Sequence, residues 1–189
     1  MTEEDYLATE PYSEIKREFL GGAVYAMAGA DEAHNLIAVS LSAMLYNRLR
    51  GRRCKVFSAD MQVRIKTAAQ DEAPTYYYPD AMIACDPAEK GKRWRENPSA
   101  LFEITSRSTR RIDEREKLTA YLDIPSLEAY VRIAQDQPAV ALHVRTPGGW
   151  KLERFTGLTG TIRLPSLEVE LPLSELYEQV EFVSEKGGV

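Results

Sequence analysis

The sequence predicts an α/β (α+β) domain, a mixed β-sheet core with helices packed on it. Three observations carry that class. Strand-like runs dominate the chain, about eight or nine of them. One long helical pattern, from Asp31 to about Arg50, lies between a hairpin and further strands. A second helix follows an apolar strand that carries a single acid, Glu103. The 189 residues fit one domain, placed at residues 1–183, with 184–189 as a frayed tail.

Thr2 followed by Asp5 has the form of a capping box and predicts a short helix to about Thr9, which Pro11 ends. The runs from Lys16 to Leu20 and from Ala23 to Met27 are joined by Gly21-Gly22, a strong hairpin signal. Asp31 is a favoured N-cap, and Ile37, Leu41, Met44 and Leu45 share one face of the helix behind it. His34 extends that face into the first turn, and Gly51 stops the helix. Strands follow at Cys54 to Phe57 and Met61 to Ile65, the latter alternating as if half exposed. Thr67 to Thr75 reads as a loop. The run from Tyr76 to Cys85 reads as one strand holding Asp80, with its tyrosines packed in the sheet rather than stacked on bases. A charged loop leads from Asp86 to Pro98 and into the Glu103 strand.

The second helix starts near Thr109 or Asp113 and ends at about Leu122, with Leu118, Tyr121 and Leu122 as its apolar face. A hairpin through Gln135 to Pro138 joins Glu128–Ile133 to Ala139–Val144, and His143 is expected at the surface. Trp150 to Phe155 and Thr161 to Leu164 are the last strands, and Leu173 to Gln179 the last helix.

Composition narrows the function. With 44% hydrophobic and 28% charged residues the chain is an ordinary globular protein. It has neither a run of roughly 20 apolar residues nor a basic-then-apolar start, so a cytoplasmic location is expected and a membrane partner is not. Cys54 and Cys85 lack CxxC spacing and are expected to be buried thiols in a reducing cytoplasm. Two histidines and no Cys/His cluster argue against zinc. A net charge of −5 argues against coating nucleic acid by overall charge, while leaving room for a local basic groove. What remains unusual is Asp80 and Glu103. An acid in an apolar run is costly unless a metal, a proton or a partner compensates it, and two on neighbouring strands suggest one metal site.

Gly22-Ala23-Val24-Tyr25-Ala26-Met27-Ala28-Gly29 followed by His34-Asn35, then Tyr78-Pro79-Asp80, then Phe102 to Thr109, then Asp113 to Tyr121 with Lys117, together form a pattern. Through it the chain, from about Thr2 to Val183, resembles the Uma family of bacterial endonucleases in the PD-(D/E)XK superfamily. The resemblance implies a restriction-endonuclease-like core with Asp80 and Glu103 as metal-binding acids and Glu18 joining them. Phosphodiester hydrolysis suits such ligands, because Mg²⁺ or Mn²⁺ held by carboxylates activates water and clamps the phosphate. Asp80, Glu103 and the backbone carbonyl of Ile104 would suffice for Mg²⁺.

The chain departs from the superfamily at Thr105, where a lysine is expected, and the nearest substitute is Lys117 on the following helix. His34 stands in a first helical turn, where anions are favoured, and is a candidate to face the scissile phosphate. Arg107, Arg110 and Arg111 lie just beyond Glu103 and are the candidate nucleic-acid contacts. The cationic run Arg48, Arg50, Arg52, Arg53 and Lys55 reads first as a solvated helix end. The expected partner is nucleic acid, DNA before RNA, with the protein a homodimer. Two other readings stay open: a nucleic-acid- or partner-binding protein with little or no catalysis, and a hydrolase using Glu18 and Glu103 as an acid–base pair.

Overall fold

The computed structural model describes residues 1–27, 29–66, 73–106 and 116–182. In chain order the strands are β1 (Arg17–Leu20), β2 (Ala23–Ala26), β3 (Lys55–Ser58), β4 (Gln62–Ile65), β5 (Thr75–Tyr77), β6 (Ala81–Ala84), β7 (Trp94–Arg95), β8 (Pro98–Thr105), β9 (Ala129–Ala134), β10 (Ala139–Thr146), β11 (Gly149–Thr156), β12 (Thr161–Leu164) and β13 (Val169–Pro172). The helices are α1 (Glu3–Thr9), α2 (Glu32–Leu49), α3 (Leu118–Leu122) and α4 (Leu173–Leu176).

A six-stranded sheet, ordered β11-β10-β9-β8-β6-β3, is the frame. Every pair in it is antiparallel except β8–β9, which is parallel. A parallel pair needs a crossover, and the segment holding α3 supplies it. All eight residues of β8 are buried, because both faces of this sheet are covered. On one face lie α2, α4 and the two-stranded β12–β13 ribbon, whose apolar side chains join Ile37, Leu41 and Leu45 in the main core. Removing one such leucine side chain costs about 2–5 kcal/mol. On the other face lie α3 and the five-stranded sheet β2-β1-β5-β4-β7, with Val63, Tyr77, Met82, Leu101, Tyr121 and Tyr130 between them. The far side of that second sheet is covered by α1 through Tyr6, which packs on Phe19 and Tyr76.

The local signals act as expected at several places. Thr2 Oγ1 accepts from the Asp5 amide at 3.1 Å and starts α1. Asp31 accepts from the His34 amide at 3.0 Å and starts α2. Gly51 takes φ +79°, a conformation that favours glycine, just past the helix end. Gly21 and Gly22 carry positive φ in the β1–β2 turn.

Six expectations are corrected. The run from Tyr76 to Cys85 is two strands in two sheets: Pro79 has no amide to give a ladder, and the chain crosses between sheets there. β4 is no half-exposed strand, since it lies between β5 and β7 with Gln62 bonded to the Tyr6 hydroxyl and Arg64 to Glu3 and Tyr76. The loop from Asp86 to Pro98 contains β7, and Val169–Pro172 is a strand. His143 is buried, not at the surface, with its ring stacked on Tyr130 at 6.1 Å. Cys54 and Cys85 are joined in a disulfide rather than being free thiols. They continue the β3–β6 ladder just past the Lys55↔Ala84 pair, so the register brings them face to face. The start of the second helix and the expected tail lie outside the described residues.

Candidate active site

The site forms where the two large sheets meet. β5 belongs to one sheet and β6 to the other, so Tyr78, Pro79 and Asp80 are the bridge. The last pair of the β6–β8 ladder is Ala81↔Phe102. Beyond it the Ile104 amide donates to Asp80 Oδ2 at 2.6 Å, so a carboxylate continues the ladder where a carbonyl would stand. Asp80 is thereby fixed against the residue that follows Glu103.

Glu103 points to the opposite face from Phe102 and Ile104, because side chains alternate along β8. There its Oε1 accepts from the Tyr121 hydroxyl at 2.8 Å and from Lys117 Nζ at 3.3 Å. Lys117 Nζ also stands 3.0 Å from Glu18 Oε1, and Glu18 accepts from the Tyr78 amide at 3.2 Å. The ammonium lies 5.2 Å from the centre of the Tyr77 ring, a cation–π contact. Glu103 and Lys117 are both buried. A buried carboxylate persists as an anion only with partners of this kind. Full burial first, then the Glu103 charge, push the Tyr121 hydroxyl well above its ordinary value, so it remains a donor.

On the other side of Asp80, His34 Nε2 lies 3.3 Å from Oδ1. Burial works against a charged imidazole. The hydrogen bond and charge of Asp80, backed by Asp31, outweigh it and raise His34 above its ordinary value. Four elements thus contribute: His34 from α2, Glu18 from β1, Glu103 from β8 and Lys117 from the turn entering α3.

The structure places the five candidates in two neighbouring sets, His34 with Asp80 and the Ile104 amide, and Glu18 and Glu103 with Lys117. Glu18 does not pair with Lys16 or Arg17, which are bound to Asp60 and Glu10. Arg107, Arg110 and Arg111 lie outside the described residues. In the cationic run, Arg48 pairs with Glu175 at 3.0 Å, Arg52 with Glu168 at 3.1 Å, and Arg53 donates to the Cys85 carbonyl at 2.9 Å. The tyrosines 76 to 78 are buried in packing. Sequence reasoning placed Tyr121 only on an apolar face and missed its bond to Glu103. Its spacing from Lys117, one helical turn, was the available signal.

The donor atoms offered to a cation are carboxylate oxygens, the chemistry that Mg²⁺ and Mn²⁺ prefer. Among the described residues no three His, Cys, Asp or Glu side chains stand grouped as a finished metal cage. All three acids are already bonded, Glu18 and Glu103 to Lys117 and Asp80 to His34, and Asp80 and Glu103 are the pair that the end of the β6–β8 ladder sets side by side. Two carboxylates with waters satisfy Mg²⁺.

The chain belongs to the Uma2 family, described as "Putative restriction endonuclease", whose profile matches residues 3–174. It is similar to two uncharacterized proteins of Synechocystis. One is 26% identical over 184 residues, covering 96% of this chain and 94% of that one. The other is 30% identical over 138 residues, covering 71% and 75%. Among solved structures it is similar to one titled a "putative nuclease belonging to DUF820" from Anabaena variabilis, with a TM-score of 0.72 and 14% identity. That likeness covers 92% of this chain and 96% of the other. At that identity it shows the fold, and the mixed sheets flanked by helices are the architecture expected above. No helix among the described residues is long and apolar enough to cross a membrane.

Proposed function

We propose that this protein is a metal-dependent endonuclease that hydrolyses phosphodiester bonds of nucleic acid, DNA before RNA, at the Asp80–Glu103 site. One observation carries the reading. Lys117 Nζ lies 3.3 Å from Glu103, which supports it as the substitute for the lysine missing at Thr105, while Asp80 is held on the next amide. An acid pair with a lysine beside it is what the chemistry needs, reached from a different element.

Asp80 and Glu103 would hold Mg²⁺ or Mn²⁺. When bound, such an ion acidifies water and offsets phosphate charge. Lys117 pairs with Glu103 and Glu18 and would place a positive charge where the transition state gathers negative charge. His34 holds the Asp80 carboxylate in position and adds a donor at the helix start. Glu18 fixes the Tyr78 amide, and with it the crossover that carries Asp80. A homodimer completes the reading, since one such centre reaches one strand of a duplex.

The test is nicking of supercoiled plasmid with Mn²⁺. Asp80→Asn and Glu103→Gln are expected to abolish it, and unchanged rates in both overturn the assignment. The ion pairs that Lys117 makes with Glu18 and Glu103 favour a second reading, a binding protein whose acids are occupied by their own lysine. Calorimetric titration with Mn²⁺ separates the two, because a folded sample that takes up no metal supports the binding protein.

A further inference from the structure

A second set of charges lies on the sheet face that carries Glu103. The register pairs Glu103 with Arg132 of β9, Arg132 with Ala141 of β10, and Ala141 with Arg154 of β11. One row across four strands therefore begins at the acid and holds two guanidiniums. With strands about 4.8 Å apart, the row spans about 14 Å. Beside it opens a cleft of about 230 Å³, lined among others by Thr105, Arg132, Gln137, Arg154 and Thr156. None of its lining side chains is acidic. Arg154 is exposed and Arg132 half-buried. His143, on the same face of β10, registers the local field. Burial first, then the charges of Arg132 and Arg154, hold its imidazole below its ordinary value.

We propose that this cleft is a phosphate subsite, where Arg132 and Arg154 hold the backbone of the nucleic-acid strand on one side of the Asp80–Glu103 centre. The proposal rests on the nuclease reading for its ligand. Guanidinium forks match phosphate geometry, and threonine and glutamine side chains are common phosphate donors. The whole chain carries −5 and repels a polyanion. A strand must therefore be drawn to a local cluster. This one continues in register from the acid, so a strand lying along it has a neighbouring phosphate at the centre.

The experiment reads binding without chemistry. A short fluorescein-labelled DNA duplex is titrated by anisotropy in EDTA at several salt concentrations. Arg154→Ala is expected to weaken binding by about tenfold at low salt and to lower the salt slope by about one. Arg132→Gln acts alike, and Arg132→Lys restores the slope, which separates a charge contact from a folding defect. Arg163→Ala, an exposed β12 arginine paired with Glu170 at 3.2 Å, changes neither quantity. Unchanged affinity and slope in Arg154→Ala overturn the subsite, as does an equal loss in Arg163→Ala or a wild type that binds no DNA. Plasmid nicking run alongside keeps the two ideas apart. Asp80-dependent nicking that Arg154→Ala leaves untouched removes the subsite and keeps the nuclease. Arg154-dependent binding by a protein that never nicks removes the nuclease and keeps the subsite.

Discussion

The ammonium of Lys117 stands 3.3 Å from the carboxylate of Glu103, fourteen positions earlier in the chain, and both are buried. The same ammonium is 3.0 Å from Glu18 in the other sheet. Lys117→Met leaves the buried Glu103 and the half-buried Glu18 without their shared cation. It is expected to cost about 3–5 kcal/mol of stability, measured by urea unfolding. Adding Glu103→Gln to Lys117→Met recovers part of that loss, and strictly additive losses contradict the pairing. Under the proposed nuclease reading, plasmid nicking is expected to fall by about a hundredfold or more in Lys117→Met, through loss of a charge positioned for the phosphate.

The disulfide between Cys54 and Cys85 closes a loop with a separation of 31 residues. A cross-link of that span restricts the unfolded chain, and its loss costs about 2–4 kcal/mol. Urea midpoints with and without dithiothreitol check this, with Cys54→Ala/Cys85→Ala as the reference. The double variant should match the reduced wild type and be indifferent to dithiothreitol. A wild type whose midpoint ignores the reductant shows that the bond is not formed in solution.

His143 supplies a pH dependence whose sign follows from its burial and its neighbours. Its folded value is depressed, by burial and then by Arg132 and Arg154. The unfolded state therefore binds more protons in this window, and stability rises with pH. The contribution is complete above the ordinary histidine value of about 6.5 and is lost as pH falls from there toward the folded value. Thermal unfolding should show wild type losing ground to His143→Gln on acidification. His34, whose value is raised and whose effect has the opposite sign, is present in both proteins and drops out of the difference. A constant gap between the two melting curves across this range contradicts the assignment.

Much of this molecule is written locally, and its failures share a cause. Asp31, Gly51 and the Gly21-Gly22 turn act on their own neighbours, so the hairpin and α2 are read directly. Glu103 stood out because an acid in a fully buried strand demands an explanation, and the structure supplies Lys117 and Tyr121 as its partners. Gln62, Arg64 and His143 went the other way. Each looks solvent-facing in its strand, and each is buried or half-buried because another layer covers that face. The two-residue strand β7 and the division of the Tyr76–Cys85 run depend on which sheet accepts each piece, which no local window encodes. The Arg132 and Arg154 row was invisible for the same reason, since only the register of four strands aligns it with Glu103.

The crossover at Tyr78, Pro79 and Asp80 carries one more implication. Glu18 arrives with one sheet, Glu103 and Asp80 with the other, and Lys117 closes the gap only when the two are seated together. Without that seating the Glu18–Lys117 pair does not form. Under the proposed nuclease reading, the centre would therefore exist only in the completed fold.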